Sequence, residues 1–318
     1  RQMCIRDRHF ITSPKKKKLI TPILKLVTWL NPKMPATMIQ IRHLLRMKRF
    51  ANLRNPQDLN EKILWMTLHS DTTEWSRLAD KNEVRGYIKE CGLEDTLVTQ
   101  YGLYNSMAEV DFNKLPNAFV LKPTHGSGDV VVVRDKSKAD LEGIRTKIQN
   151  ELDEYICTSA AELHYTRIPH RVVAEELLIN DPISEKYSST LIDYKIWCCN
   201  GKAQFIWVCM NRFVRNKDGA EVMIYDRDWN AHPEFCRVTP DFSLADPMPR
   251  PVGYEHMLEV AEKLSAKFPI VRVDLYNLNG KIYFGEMTFT SYGAIMDFYT
   301  DEFLKKCGSM IKLPKATK

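Results

Sequence analysis

The spacing of apolar positions changes character near residue 116. Before it, helical periods dominate: 39–50 reads as a basic helix, and Asn55-Pro-Gln-Asp-Leu-Asn-Glu61 gives turn residues followed by Ile63, Leu64 and Met66, with Asn60 placed to cap. A further helix is predicted over 76–90, stopped by Cys91-Gly92, and short extended pieces fall near 97–101. After Pro116, Ala118-Phe-Val-Leu-Lys122 and Val130-Val-Val-Val-Arg134 read as strands flanking Pro123-Thr-His-Gly-Ser-Gly-Asp129. A helix from 138 to about 155 and a strand over 171–178 follow. The last third is rich in hairpins: 194–199 and 203–209 flank Asn200-Gly201, while 271–276 and 281–289 flank Asn279-Gly280. Between them 254–268 has helical spacing. The pattern predicts an α+β chain with antiparallel sheets, not a doubly wound one.

This texture divides the chain into a leader (1–54), a mostly helical region (55–115), a small α+β unit (116–180) and a larger one (181–318). The first eight residues are expected to be a non-native truncation scar and carry no weight in the fold.

At 318 residues, 44% hydrophobic and 27% charged, the chain is that of an ordinary globular protein. Charge is distributed unevenly. Residues 1–54 hold 14 Lys or Arg and one acid, Asp7, whereas the remainder is net negative. A basic leader on a mildly acidic body points to an anionic partner, either a membrane face or a polyanion, or else to a solvated end. Nucleic acid is not the expected partner. The apolar stretch 19–30, preceded by Lys15–Lys18, is interrupted by Pro22 and Lys25; it suits a helix lying on a membrane face or a docking helix better than a span. Eight cysteines without a CxxC pair read as buried hydrophobes in a reducing compartment, and no zinc site is expected.

Three places carry candidate chemistry. Lys122 with Gly126, Ser127 and Gly128 offers a strand lysine beside a loop whose backbone N–H groups can turn toward phosphate, in a strand–loop–strand context that excludes a Walker loop. His125 is either a phosphate contact or a structural turn residue. Glu175, Glu176 and Leu178 close a strand before an irregular segment, where adenine and ribose can be met, although acids at a strand end are also ordinary. Arg272-Val-Asp274 and Glu286-Met-Thr288 lie on paired strands, and carboxylates beside phosphates suit magnesium. Here register decides the site. A two-residue Asn279-Gly280 loop would pair Asp274 with Gly285 and turn Glu286 to the opposite face. A three-residue loop, 278–280, pairs Arg272 with Glu286 and Asp274 with Phe284, placing both acids on one face; the three-residue loop is the expectation. An Arg272–Glu286 ion pair without metal is the plain alternative. Lys81, Arg85, Lys195 and Arg212 are further cations, and the last two stand in or beside apolar strands where charge needs a partner.

Taken in order, Leu59-Asn-Glu-Lys-Ile63, Ala79-Asp-Lys-Asn-Glu-Val-Arg85, Phe119-Val-Leu-Lys122, His125-Gly-Ser-Gly128, Ile168-Pro-His-Arg-Val-Val-Ala-Glu175, Asp193-Tyr-Lys195, Tyr225-Asp226 with Trp229, Val271-Arg-Val-Asp-Leu-Tyr276 and Ile282-Tyr-Phe-Gly-Glu-Met-Thr-Phe289 resemble the ATP-grasp superfamily, and most closely its TupA-like branch, named for teichuronopeptide biosynthesis. The resemblance implies an ATP-grasp fold preceded by a helical region. ATP phosphates would be held by Lys81, Lys122 and the lid Gly126–Gly128, the base and ribose by Glu175 to Leu178, and magnesium by Asp274, Glu286 and Thr288. Catalytic roles would fall to Arg272, Arg212 and Lys195. Thr288 stands where most members carry Asn, and Asp129 where a further glycine is expected. The implied activity is a cytoplasmic ligase that joins an amino acid to a uronic-acid-bearing surface polysaccharide through an acyl phosphate. A kinase-like phosphotransferase, a glycosyltransferase and a non-catalytic polysaccharide- or membrane-binding protein are the alternatives; HRD and DFG sequences are lacking, which counts against a protein kinase.

Overall fold

The computed structural model describes residues 24–125, 130–153, 157, 159–212 and 219–317. It opens with helices: α1 (24–30), α2 (Pro35–Met47), α3 (Leu59–His69), α4 (Thr73–Ala79) and α5 (Val84–Glu90). The cap of α3 is Asp58, not Asn60. The Asp58 side chain accepts the Glu61 N–H at 2.9 Å and the Glu61 carboxylate accepts the Asp58 N–H, a reciprocal capping box. Asn60 sits inside the helix, fully buried, where its Oδ1 accepts the distant Met296 N–H at 3.2 Å. The single helix expected over 76–90 is two helices. Asp80 breaks it by accepting the N–H groups of Asn82 and Glu83 at 2.8 and 3.2 Å, and the turn so formed carries Lys81.

Two sheets follow, each with its own apolar core. The smaller contains β1 (Gln100–Tyr104), β2 (Phe119–Pro123), β3 (Val131–Val133) and β4 (Val172–Glu175) in the order β1-β4-β2-β3, all antiparallel. Helix α6 (Leu141–Asp153) covers it, burying Ile148 and Leu152 in the cluster that holds Phe119, Leu121, Val172 and Ala174. Its first strand lies upstream of the change in texture at residue 116, and β4 stops at Glu175.

The larger sheet contains β5 (Asp193–Cys199), β6 (Lys202–Met210), β7 (Ala220–Asp226), β8 (Phe242–Leu244), β9 (Ile270–Leu278) and β10 (Lys281–Thr288), in the order β10-β9-β5-β6-β7-β8. Only the β7–β8 pairing is parallel. Helices α7 (Tyr254–Ser265) and α8 (Asp301–Ser309) complete it. Leu59, Ile63 and Trp75 of the leading helices share this larger core, so the helical region packs onto the second sheet. Strands β7 and β8 escaped the sequence reading, because 220–244 lacks a clean alternation.

The β9–β10 register differs from expectation. The turn is the two-residue Asn279-Gly280 loop, both residues at positive φ (51° and 89°), so Leu278 pairs with Lys281 and Leu275 with Phe284. A bulge at Gly285 then shifts the ladder by one, and Glu286 comes to lie directly opposite Asp274, with Thr288 opposite Arg272. The acids therefore do share a face, but through a bulge and not through a longer turn. Gly285 allows it by close approach: a Cβ there would stand 2.9 Å from the Asp274 carbonyl oxygen.

Among the described residues no cysteine is in a disulfide, and Cys198, Cys199 and Cys209 are buried, as their apolar surroundings predicted. Among the described residues, no helix is long and apolar enough to cross a membrane.

Candidate active site between the two sheets

The first group of candidate residues gathers where the small sheet meets β10. Lys81, Arg85, Lys122 and Glu175 line one small cavity together with Phe284 and Gly285. Strand pairing brings Lys122 and Glu175 onto neighbouring strands, and the Lys122 Nζ donates to Glu175 Oε2 at 2.6 Å. Arg85 Nη1 lies 3.9 Å from the other oxygen of Glu175. The Lys81 ammonium donates to the Pro123 carbonyl at 3.0 Å, at the end of β2. The turn bearing it is pinned to the small sheet by Arg171, which pairs with Asp80 at 3.1 Å and Glu83 at 3.0 Å. Three cations face one carboxylate here, an excess of positive charge that suits a polyphosphate. Burial pulls the Arg85 guanidinium below its ordinary value, while Glu175 works against that pull.

Glu176 and Leu178 continue beyond β4 half-buried, and the Glu176 N–H donates to the Thr99 carbonyl at 2.9 Å. His125 is buried at the head of the lid sequence and stacks on His170, ring centroids 3.8 Å apart. Burial, with lesser pressure from His170 and Lys81, pushes its pKa down to about 3. The buried, stacked ring is thus disfavoured as a cation. Gly126, Ser127 and Gly128, with Asp129, lie outside the described residues.

The second group is a network of buried charges on β5, β9 and β10. Arg272 is fully buried. Its guanidinium embraces Asp274 with two bonds of 2.7 Å, reaches Glu286 Oε1 and Thr288 Oγ1 at 3.2 Å each, and donates to Ser291. Lys195, opposite Asp274 on the neighbouring strand, donates to Asp274 Oδ2 at 2.5 Å. Arg212 pairs with Asp193. Both cations that seemed to need an anionic ligand thus have protein partners. Burial alone would raise the Asp274 carboxyl, but Arg272 and Lys195 overrule it and hold it well below the usual carboxylate range. Burial would likewise lower Lys195, yet Asp193 and Asp274 raise it.

These contacts bear on magnesium. Both Asp274 oxygens are engaged by cations, whereas Glu286 is about a third exposed (34%) and its hydrogen bonds fall on Oε1. Among the described residues, no group of three His, Cys, Asp or Glu side chains is placed to hold a metal ion. Glu286 with the adjacent Thr288 hydroxyl is the part of the set whose donor chemistry fits a hard cation arriving with phosphate oxygens. In this arrangement Asp274 instead serves the two buried cations.

Sequence reasoning passed over Ser291, which closes the shell around Arg272, and Asp193 as the anion of Arg212. It also passed over Tyr165, whose phenol is raised by burial and then by the nearby Glu286 carboxylate. Only Gly285 carried a usable signal: an isolated glycine within a strand pattern marks a bulge.

No functionally curated protein matches the chain. Among solved structures, the chain is similar to an L-amino acid ligase from Bacillus licheniformis (12% identity, 92% of this chain and 62% of the other, TM-score 0.47). It is also similar to a D-alanine–D-alanine ligase from Bacillus anthracis (14% identity, 70% and 59%, TM-score 0.44). The chain thus spans about three-fifths of the length of each. The family model for TupA-like ATP-grasp proteins matches residues 61–312, a stretch that takes in both residue groups, and the chain accordingly belongs to the TupA-like ATP-grasp family.

Proposed function

We propose that the chain is an ATP-dependent carboxylate–amine ligase working through an acyl phosphate, with ATP phosphates lodged between the two sheets. The observation that carries this reading is the single cavity in which Lys81 and Arg85 of the helical region, with Lys122 and Glu175 of the small sheet, meet Phe284 and Gly285 of the larger sheet, one residue from Glu286. Cations for phosphate and an accessible carboxylate for its counter-ion are thereby adjacent.

The cavity measures about 20 Å³, room for little more than a water, whereas small-molecule pockets run to several hundred. Nucleotide binding on this reading parts the two sheets. It also replaces the Lys122–Glu175 ion pair by a Lys122–phosphate contact. Glu175 through Leu178 then take the base and ribose. Magnesium brought in with ATP would neutralise charge on the transferring phosphoryl group, with Glu286 and Thr288 holding it. Arg212, whose side chain is 36% exposed, is the better candidate to touch the acyl phosphate. Arg272, sealed by its neighbours, positions Glu286 and Thr288, and Lys195 secures that arrangement through Asp274.

For substrates, the TupA-like resemblance favours a uronic-acid sugar of a surface polysaccharide as the carboxylate and an amino acid as the amine, with the reaction in the cytoplasm where ATP is supplied. The test is an ATP assay with magnesium, with and without amino acids and a uronate-bearing glycan. The reading expects ADP and phosphate only when both substrates are present, with loss in Lys122→Ala and Glu286→Ala. Calorimetry that finds no nucleotide binding in the presence of magnesium would overturn it in favour of a polysaccharide-binding protein.

A further inference from the structure

The outward face of the leading helices is apolar. Seven of the fifteen exposed large hydrophobic side chains among the described residues fall between Leu26 and Phe50. In α2, Ile41, Leu44 and Leu45 are exposed at helical spacing, while Ile39 and His43 on the opposite side are buried. In α1, Leu26 and Trp29 are exposed by more than half (55% and 56%), and Phe50 beyond α2 by 63%. A cluster of this kind on a protein surface marks a place where something binds.

The charges around it have one sign. Every ionised Lys, Arg, Asp or Glu side chain from 24 to 54 is basic, and Lys15–Lys18 lie just upstream in sequence. Lys25, Lys33 and Lys48 are exposed along the same two helices, and the Lys33 ammonium sits 3.4 Å over the Trp29 ring. The inner side, by contrast, is firmly held. Arg46 makes two bonds to Asp297 at 2.7 and 2.9 Å, Asn31 donates to the Cys157 carbonyl at 2.8 Å, and Gln40 exchanges bonds with Ala51. The element is a platform fixed to the body, with its greasy side turned out.

We infer that this face docks on an anionic phospholipid bilayer. Aliphatic side chains and a tryptophan suit the boundary between headgroups and acyl chains. Cations spread along both helices suit a negatively charged headgroup layer, and an amphipathic surface devoid of acids has nothing to repel it. The exposed apolar positions are distributed over two helices and the segment after them, which fits an extended planar partner. The inference stands on surfaces away from the nucleotide residues and does not depend on the ligase reading.

The test uses the full chain with phosphatidylcholine vesicles, with and without an anionic fraction of phosphatidylglycerol, on the order of a third of the lipid, to supply the negative surface potential that attracts basic segments. Wild-type protein sediments with the anionic vesicles and not with the neutral ones, and salt releases it. Leu45→Glu lowers partition by at least about tenfold, and Lys25→Ala with Lys33→Ala by about twenty-fivefold, taking roughly fivefold for each lysine near the surface. Val238→Glu, an equally exposed position (68%) in another part of the chain, leaves partition unchanged. Unaltered circular dichroism shows that the variants fold. Absence of binding to anionic vesicles, or binding indifferent to Leu45→Glu, overturns the inference. So does dimerisation without lipid binding that Leu45→Glu abolishes, since the face would then belong to a second copy.

Discussion

Replacing Asp274 by Asn removes one charge from a site built on balance. Arg272 is fully buried and gives Asp274 two bonds of 2.7 Å, and Lys195, 6% exposed at its side chain, adds a third of 2.5 Å. After the substitution, the two buried cations retain Glu286, itself a third exposed and 3.2 Å from Arg272, and Asp193, which acts on Lys195 but is already paired with Arg212. Deleting one partner of a buried ion pair costs about 3–5 kcal/mol, because the other charge stays desolvated. At roughly 2–4 °C per kcal/mol for a chain of this class, Tm should fall by on the order of 6–20 °C. Lys195→Met should be destabilising alone, yet should restore part of the loss in the Asp274→Asn background, with a coupling of about 1–3 kcal/mol. The acid limb carries the same signature. Asp274 is held below its unfolded value, so its contribution is complete above about pH 5 and fades as pH falls, and Asp274→Asn should flatten that part of the curve. Urea unfolding of the four proteins of the cycle, repeated from pH 3 to 7, measures all of this. A loss below about 1 kcal/mol in Asp274→Asn, or a double variant no more stable than the single, refutes the charge-balance account.

Gly285→Ala brings a methyl group against the Asp274 carbonyl and should cost about 1–3 kcal/mol while displacing Glu286; ATP turnover that survives intact would show the bulge to be dispensable. Lys122→Met leaves the buried Glu175 with only the longer Arg85 contact at 3.9 Å, so Tm should drop and recover in part when Glu175→Gln is added, whereas nucleotide affinity by calorimetry should stay about tenfold or more reduced in both. His164 is buried between Trp75 and Tyr165, and neither ring nitrogen has a hydrogen-bond partner among the described residues. Burial pushes its pKa down to about 3 from 6.5. The fold therefore favours the neutral ring, and the stability this ring contributes is full above pH 6.5 and lost as pH falls toward 3. His164→Phe should flatten the melting-temperature profile between those values, and a profile unchanged from wild type counts against the buried neutral ring.

Much of this arrangement was legible in the residues. Asn200-Gly201 and Asn279-Gly280 announced their hairpins because their sharp turns need positive φ, and Lys122, Glu175, Asp274 and Glu286 stood out as charges within apolar strands. Helix ends were harder to read. Asp58 and Asn60 are both good caps, and the choice between them rests on Asn60 being drawn into the core by Met296, a contact 236 residues away. Likewise, nothing local says that Arg212 finds Asp193 or that Arg272 finds Ser291, since these partners meet only when β5, β6 and β9 are laid side by side and the segment after β10 folds back. The register of β9 and β10 was misread for the opposite reason: two local signals, turn and bulge, act in sequence, and only their sum appears at the site.

That sum has the logic of parity. Side chains on a strand alternate faces, so whether Asp274 and Glu286 meet depends on whether the count of residues linking them is even or odd in effect, and the Gly285 bulge adjusts that count by one. Were the same hairpin paired without the bulge, Gly285 would stand opposite Asp274, and Glu286 and Thr288 would turn away from Arg272 with every one of those residues still present. Deleting Gly285 outright would instead leave Glu286 opposite Asp274 in a regular ladder, since the bulged residue is the one without a partner. Along this hairpin, then, relatives are best compared by how many residues separate the two carboxylates and by whether a bulge takes up the odd one.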